Sequence, residues 1–105
     1  MQIFSERVVR LALSIPAGHV TTYGRIARAA GGGPMASQSI TSILSKAWGN
    51  GEKAIPFHRI VYADGRIWID DRHRAERMKL YKKENIQLDI NDRIMNFRSV
   101  LYEFK

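Results

Sequence analysis

A run of three glycines, Gly31 to Gly33, separates two segments with helical patterns, and it constrains the fold more than any other feature. Thr22 is a good N-cap for a short helix over residues 23 to 30, because its hydroxyl can accept a hydrogen bond from the first turn. The glycines must then end this helix, and Pro34 can occupy the first position of the next one. Two helices joined by a tight glycine-rich turn predict helix-turn-helix geometry.

The second of these helices has two different faces. Its apolar residues recur at helical spacing and predict a face that packs on a core: Ala36, Ile40, Ile43, Leu44 and Ala47. The other face is polar and small, with Ser37, Gln38, Thr41, Ser42 and Ser45. Such a face can let a helix approach nucleic acid closely, with hydroxyls and backbone amides bonding phosphate oxygens. A solvated helix face is the alternative interpretation.

The segments on either side predict further elements. Residues 4 to 13 carry apolar side chains at helical spacing, residues 48 to 53 read as a polar loop, and residues 58 to 62 and 66 to 69 read as two strands joined by an Asp64-Gly65 turn. Asp70 and Asp71 suit the start of a helix over residues 72 to 84, with Asn85 as its left-handed cap. The predicted fold class is α+β, mainly helical: a winged-helix-like domain with a helix-turn-helix and a short β-hairpin.

The charge balance favours a polyanionic partner. Seventeen Lys and Arg against ten Asp and Glu give a net charge of +7, although a basic surface can also serve solubility alone. The chain has no cysteine, and His19, His58 and His73 are too scattered to suggest a metal site, so neither metal nor cofactor is expected. Residues 1–105 show no secretory or membrane-spanning pattern and are expected to form one domain, too small for a two-domain architecture, in a cytoplasmic, soluble protein.

Two motifs, at a plausible separation, carry a resemblance to a known family. Residues 15 to 27 read Ile-Pro-Ala-Gly-His-Val-Thr-Thr-Tyr-Gly-Arg-Ile-Ala, and residues 55 to 59 read Ile-Pro-Phe-His-Arg. Both resemble motifs of the O6-alkylguanine-DNA alkyltransferases, whose second motif is Pro-Cys-His-Arg and whose cysteine sulfur takes the alkyl group off the damaged base. Phe57 stands in the place of that cysteine, and a phenyl ring cannot attack an alkyl carbon. The chain therefore resembles an alkyltransferase-like protein, a damage binder without the acceptor.

The resemblance implies a pocket for a flipped base and a helix that lies on DNA. The implied pocket residues are Tyr23, Pro56, Phe57, Ile60, Trp68 and Arg72, with stacking from the aromatic rings and a cation-π contact from Arg72. Tyr23 and Trp68 could equally be core residues. The family usually has an arginine finger where this chain has Gln38, which can still wedge into the base stack but lacks the charge that strengthens a hydrogen bond.

The resemblance also implies a role for three residues around the missing cysteine. In the alkyltransferases the histidine and a later glutamate form a relay that helps to deprotonate the cysteine, and here that relay has nothing to activate. His58, Arg59 and Glu84 are therefore expected to be a structural remnant of the active site. His58 should be buried and paired with Glu84, and Arg59 should support the second helix or its loop rather than read bases.

Three functions from different classes follow. The resemblance implies a non-enzymatic, monomeric binder that recognises O6-alkylguanine in double-stranded DNA by base flipping, flags it for nucleotide excision repair proteins and is nucleoid-associated when bound. A general winged-helix DNA-binding protein or transcriptional regulator is left open by Gln38. An enzyme with His58 as acceptor is disfavoured, because imidazole is a weak alkyl acceptor.

The tail from residue 87 is outside the resemblance, and its apolar residues favour a core-covering role: Ile94, Phe97, Val100, Leu101, Tyr102 and Phe104.

Overall fold

The structure is a computed structural model that describes residues 3–33, 35–68 and 71–104. Within these residues lie five α-helices and two short strands, in the order α1 (Phe4–Leu13), β1 (Thr21–Thr22), α2 (Tyr23–Ala29), α3 (Ile40–Gly49), β2 (Ile60–Val61), α4 (Arg74–Lys83) and α5 (Phe97–Val100). Two 3₁₀ turns, Ala36–Ser39 and Phe57–Arg59, directly precede α3 and β2.

The helix predicted over residues 4 to 13 is confirmed as α1, which packs on α2 and α3 around the first of two hydrophobic clusters. Val8 and Ala12 lie one turn apart on its inner side, and both are buried. The predicted N-cap of α2 is also confirmed, because Thr22 Oγ1 accepts a hydrogen bond from the Arg25 backbone N–H at 3.1 Å. These three helices hold the amino-terminal half of the molecule together.

The two-faced character of the next helix is confirmed. Ile40 and Leu44 lie one turn apart and are buried, whereas Thr41, Ser42 and Ser45 are exposed. The element begins as a 3₁₀ turn and becomes α-helical only at Ile40. Its polar face is therefore presented to solvent along its length, and its apolar face closes the first cluster.

The glycine run makes the close connection that the sequence predicted. Gly31 has a φ of +89°, which a glycine adopts readily. A Cβ on Gly32 would lie 2.5 Å from the Ala36 Cβ and 2.9 Å from the Phe4 ring, so a larger residue would separate α1 from the turn before α3. The prediction for Pro34 falls outside the described residues.

The predicted β-hairpin is replaced by a parallel pairing. β1 and β2 pair side by side, with Thr21 opposite Ile60 and Thr22 opposite Val61. The strand begins at Ile60 rather than at residue 58, because the preceding residues form a 3₁₀ turn.

The turn predicted at Asp64-Gly65 is present, but the strand predicted after it is wrong as far as residue 68. The Tyr62 N–H donates to the Arg66 carbonyl oxygen at 3.0 Å, and the chain then leaves the pairing. The Ile67 N–H donates to the Asp92 carbonyl oxygen and the Ile94 N–H to the Gly65 carbonyl oxygen, so a distant segment takes this edge. Residues 69 and 70, including the predicted helix start at Asp70, lie outside the described residues.

The basic helix is shorter than predicted. α4 begins at Arg74, with Asp71 and Arg72 in the turn before it, and it ends at Lys83. The left-handed cap at Asn85 is confirmed, with a φ of 63°. No helix of the described segments is both long and apolar enough to cross a membrane.

The tail packs on the core, as its composition predicted. Ile94 is buried in the second cluster, together with Val20, Val61 and Tyr81, and α5 packs against the same cluster. Tyr102 and Phe104 pack against the first cluster. The backbone of Val20 bonds the segment after α5 on both sides, through the Val100 carbonyl at 2.9 Å and the residue 102 N–H at 2.7 Å. The tail thus joins the two clusters beside β1.

Candidate nucleic-acid interface

A groove of about 930 Å³ runs between the polar face of α3, the 3₁₀ turn before β2 and the side of α4. Its size falls within the range of about 300–1,000 Å³ that is usual for sites that bind small molecules. The groove combines apolar side chains from the 3₁₀ turn with hydroxyls from α3 and cations from α4 and the loop after α3. Such a lining suits a ligand with a flat apolar part and an anionic part.

The structure brings together five of the six residues of the implied base pocket. Tyr23, Pro56, Phe57, Ile60 and Trp68 all line the groove. Tyr23 and Phe57 are half-buried, and Trp68 is exposed, so these aromatic rings stand at the groove surface rather than in the core.

Arg72 is not among the groove-lining residues. Because α4 begins two residues later than predicted, Arg72 lies in the exposed turn before the helix. The α4 cation that lines the groove is Arg77, whose guanidinium carbon is 5.8 Å from the centroid of the Trp68 ring. Arg77 thus places a cation over an aromatic ring of the groove, while the contact of Arg72 with a flipped base, which the resemblance implied, stays a prediction.

Four of the five polar residues on the predicted DNA-binding helix line the same groove. Ser37, Gln38, Thr41 and Ser45 face it, whereas Ser42 is exposed on the next position around α3 and does not line it. Positions 38, 41 and 45 are spaced by three and four residues, which places them on one side of a helix. Gln38 thus stands on the same wall as the hydroxyls.

Two aromatic residues of the groove were not predicted as site residues. Trp48 belongs to the last turn of α3, not to a loop, and its ring centroid is 5.6 Å from that of Phe57. Tyr62 follows β2, and its ring centroid is 5.6 Å from that of Tyr23. Helical spacing could have found the first, since Trp48 comes three residues after Ser45 on the groove side of α3. No local signal marked the second.

Tyr23 has a phenol that stays protonated. Burial raises its pKa above the usual value of 10.0, and the neighbouring Tyr62 raises it further, against smaller opposing effects from Thr41 and Arg77. The hydroxyl can therefore donate a hydrogen bond at the amino-terminal end of α2, next to the hydroxyl of Thr41 on α3.

A polar network joins the wall of the groove to the end of α4, and its members His58 and Arg59 line the groove. His58 Nε2 and Glu84 Oε2 are 2.5 Å apart, which confirms the predicted pair. The Arg59 guanidinium donates two hydrogen bonds to the same carboxylate, at 3.0 and 2.9 Å, and the Gly18 N–H donates a further one at 3.1 Å. We call His58, Arg59 and Glu84 the buried network.

The expected partner of Arg59 was wrong. Its guanidinium contacts Glu84 and, through Nη1, the Ile15 carbonyl oxygen at 2.9 Å, rather than α3 or its loop. The planar fork of an arginine matches a carboxylate in two parallel hydrogen bonds, and Glu84 offers that acceptor. Arg59 thus ties the residues after α1 to the end of α4.

The charges of the buried network are set by its surroundings. Burial would raise the pKa of the Glu84 carboxyl, but the hydrogen bonds from Arg59, His58 and Gly18 outweigh it and lower the pKa to about 2. Burial lowers the pKa of His58 below 6.5, against the attraction of Glu84. At neutral pH the network thus holds an ionised carboxylate that is hydrogen-bonded on both oxygens.

Tyr81 fixes the backbone of the same turn. Its hydroxyl donates a hydrogen bond to the His58 carbonyl oxygen at 2.5 Å, and burial is the main cause that raises the pKa of the phenol. The described segments contain no group of three or more His, Asp or Glu residues that could hold a metal ion.

Comparison with known proteins decides the family. The family model for the DNA-binding domain of 6-O-methylguanine DNA methyltransferase matches residues 3–86. The chain belongs to this family. Over 64 residues it is 39% identical to proteins named "DNA base-flipping protein" from Escherichia coli (strain K12) and Shigella flexneri. These residues are 61% of this chain and 47% of each relative, so the alignment spans about half the length of these curated relatives.

The fold of this methyltransferase-family chain matches two solved structures over almost its whole length. One is the crystal structure of S. pombe Atl1 in complex with damaged DNA containing O6-carboxymethylguanine, with a TM-score of 0.76. The other is S. pombe ATL in complex with DNA, with a TM-score of 0.74. Each is 22% identical in sequence, and each match covers 99% of this chain and 100% of the other, including the tail that the sequence motifs left unassigned.

Proposed function

We propose that this protein is a non-enzymatic DNA-damage binder that recognises O6-alkylguanine by base flipping and leaves the alkyl group in place. The observation that carries the proposal is the groove itself. Phe57 lies on its wall at the position where the family's acceptor cysteine belongs, and Tyr23 and Trp68 line the same space. The names of the relatives and the DNA complexes of the structural neighbours support this function.

The groove offers the contacts that a flipped base needs. A guanine displaced from the duplex can stack on Tyr23 or Trp68, and each stacking contact of this kind contributes about 1 to 3 kcal/mol. Pro56 and Ile60 add apolar surface to the same wall. The O6 substituent then lies against Phe57, which offers contact area but no nucleophile.

The polar side of α3 supplies the contacts to the DNA backbone. Ser37, Thr41 and Ser45, with Ser42 beside them, can bond phosphate oxygens, and the net charge of +7 favours the approach to a polyanion. Gln38 stands at the edge of the groove and can fill the space in the base stack left by the flipped nucleotide. Its amide hydrogen-bonds the orphaned base without adding charge.

Binding without chemistry is supported by three features. The chain has no cysteine, and the Nε2 atom of His58 is engaged by the ionised Glu84 carboxylate. His58 is also only 7% exposed, which argues against its use as an alkyl acceptor. The buried network therefore supports the wall of the groove and does not activate a nucleophile.

The proposal extends to the fate of the complex. A binder that leaves the lesion intact needs a second activity to remove it, and we propose that the bound duplex is a signal for nucleotide excision repair proteins. The protein would act as a cytoplasmic monomer that is nucleoid-associated when it holds DNA.

A binding titration tests the proposal directly. Short duplexes that differ in a single O6-methylguanine are titrated at two salt concentrations, and the DNA is then recovered and its bases are analysed. The expected result is tighter binding of the lesion duplex at both salt concentrations, with the methyl group still on the base. Equal and salt-sensitive binding of both duplexes contradicts the proposal and favours a general DNA-binding protein or regulator, the function that the neutral Gln38 also permits. Loss of the methyl group contradicts the non-enzymatic part.

A further inference from the structure

Tyr81 reaches from α4 to the 3₁₀ turn that carries Phe57. Its side chain is 2% exposed and packs in the second cluster with Val61. Its hydroxyl donates a hydrogen bond to the His58 carbonyl oxygen at 2.5 Å, and its ring meets the His58 imidazole edge-on, with the ring centroids 5.8 Å apart. One buried side chain therefore holds both the backbone and the ring of the residue that follows Phe57.

The same helix also lines the groove. Glu76, Arg77 and Leu80 line it from α4, and Phe57 lines it from the 3₁₀ turn. Tyr81 follows Leu80 directly and comes four residues after Arg77, so it lies one helical turn from that cation. The bond from Tyr81 to the turn thus fixes where the Phe57 ring lies relative to the α4 side of the groove.

This bond differs from the contacts of the buried network. The Glu84 carboxylate bonds the side chains of His58 and Arg59, which reach it through rotatable torsions. The Tyr81 hydroxyl bonds a main-chain carbonyl, and a planar peptide unit moves only when the backbone dihedrals around it change. Tyr81 is itself held in place, since a tyrosine has only two side-chain torsions and this ring is packed in a cluster. The backbone of the turn is therefore anchored by Tyr81 and its side chains by the network.

We propose that Tyr81 is a positioning residue that sets the place of Phe57 in the groove, and thereby the discrimination between O6-methylguanine and guanine. The inference rests on the proposed function, because it concerns the same groove. The two bases differ by one methyl group, and a wall that is held in place before binding exploits so small a difference best. A turn that shifts freely would admit both bases equally well.

The experiment removes the hydroxyl and keeps the ring. Tyr81→Phe and the wild-type chain are titrated by fluorescence anisotropy with two duplexes that differ in a single O6-methylguanine, at a temperature where both proteins are folded. The ratio of the two affinities should fall about threefold in the variant, which is most of the contribution of one buried methyl group. The affinity for the unmodified duplex should stay unchanged, because phosphate contacts supply it. Tyr102→Phe is the matched control, since Tyr102 contacts His19 and Phe104 and does not line the groove.

A second readout separates positioning from a general loss of stability. The Arg59 N–H donates to the Pro56 carbonyl oxygen and the Ile60 N–H to the Phe57 carbonyl oxygen, so both amides report on the turn. In Tyr81→Phe, hydrogen exchange followed by NMR should be about fivefold faster at these two amides, the factor that corresponds to one neutral hydrogen bond, beyond any change at the α1 amides. Incorporation of 4-aminophenylalanine at position 81 restores an N–H donor on the same ring, and it should recover most of the lesion preference.

The outcomes separate this inference from the proposed function. A wild-type preference for O6-methylguanine that persists undiminished in Tyr81→Phe leaves the proposed function standing and overturns the role of Tyr81. An equal fall in Tyr102→Phe, or an equal acceleration of exchange at the α1 amides, also overturns it, since the effect would then be a general loosening. No lesion preference in the wild type overturns the proposed function and the inference with it.

The protein with 4-aminophenylalanine takes the place of Tyr81→Phe where the latter does not fold. Its amine is a weaker donor than the phenol, so the lesion preference should fall in part. An undiminished preference in that protein overturns the role of Tyr81.

Discussion

The groove and the buried network meet at two consecutive residues, Phe57 and His58, yet the side chains of the two regions differ in exposure and in hydrogen bonding. In the network, every oxygen of Glu84 has a hydrogen-bonded partner within 3.1 Å, and His58 is 7% exposed. In the groove, Trp48 and Trp68 stand half-exposed, with Phe57 and Lys53 beside the Trp48 ring and Arg77 beside the Trp68 ring. The buried network is thus a fully bonded support, while Phe57 next to it is part of an open apolar wall.

The two regions should therefore respond differently to substitution. A change in the buried network should reduce stability, because it leaves a buried charge without its partner. A change in the groove should reduce lesion binding and leave stability nearly intact, because the side chain is already in contact with water. Four predictions test this separation, in order of expected effect.

The largest effect is expected from Glu84→Gln. The amide cannot accept from Arg59 and His58 with the same strength, and the Arg59 guanidinium loses its counter-charge, which should cost about 3 kcal/mol in the free energy of unfolding. Thermal unfolding should shift down by at least about 10 °C. Glu103→Gln is the matched control, since the Glu103 side chain is 76% exposed and its contact with Arg25 is 3.5 Å long. A shift as small as that of the control would show that the network does not support the fold.

The second effect is a loss of stability in acid. Glu84 has a lowered pKa in the folded protein, about 2 against 4.5, so its contribution is complete above pH 4.5 and is lost as the pH falls toward 2. His58 also has a lowered pKa, so the unfolded chain binds its proton more tightly and stability begins to fall below pH 6.5. Urea unfolding at pH 7.5, 5.5 and 3.5 should show a progressive decrease. In Glu84→Gln the loss of stability at the acid end of this range should be smaller. An unchanged profile in that variant would show that other groups cause the loss.

The third effect belongs to the groove. Trp68→Ala should weaken binding of an O6-methylguanine duplex about tenfold, since a stacking contact of about 1 to 3 kcal/mol is removed, and should change the unfolding temperature little. The Trp68 side chain is 46% exposed, so little buried area is lost. Ile90→Ala is a suitable control, because Ile90 is 97% exposed and does not line the groove. A large loss of stability with unchanged lesion preference would mean that Trp68 is a core residue.

The smallest effect is a gain. Gln38→Arg should raise the lesion preference about fivefold, because a charge-assisted hydrogen bond replaces a neutral one in the base stack. Where the new charge contacts a phosphate, the plot of the logarithm of the binding constant against the logarithm of the salt concentration should become steeper by roughly 0.9. Ser42→Arg adds the same charge to the same helix outside the groove. It should change general DNA affinity alone, and an equal gain in lesion preference would show that position 38 is not special.

Much of the fold could be predicted from local patterns. The helical spacing of Val8 and Ala12, the hydroxyl cap of Thr22 and the glycine run each act within a few residues, so the sequence predicts α1, α2 and the turn before α3 correctly. The pairing of His58 with Glu84 was predicted from the resemblance, which supplied a contact between residues 26 positions apart.

The errors have different origins. The residues after Gly65 have the pattern of the second strand of a hairpin, but their backbone is hydrogen-bonded to residues 92 and 94. Strand pairing depends on such tertiary context more than on local propensity. Arg72 was assigned to the pocket from the resemblance alone, and it lies in the exposed turn before α4. Trp48 was read as a loop residue because Gly49 and Gly51 follow it, although its spacing from Thr41 and Ser45 fits the groove side of the helix.

The bonds of Val20 to the segment after α5 bear on the order in which the chain can fold. The second cluster is completed by contacts among residues that lie far apart in the sequence: Val20, Val61, Tyr81, Ile94 and Val100. By contrast, α1, α2 and α3 contact one another within a span of about fifty residues. Long-range pairing is slow, because a large loop must close before the contacts form. The three-helix half should therefore assemble early, and the wall that carries Phe57 should reach its final position only when residues 100 to 102 have joined the edge of β1.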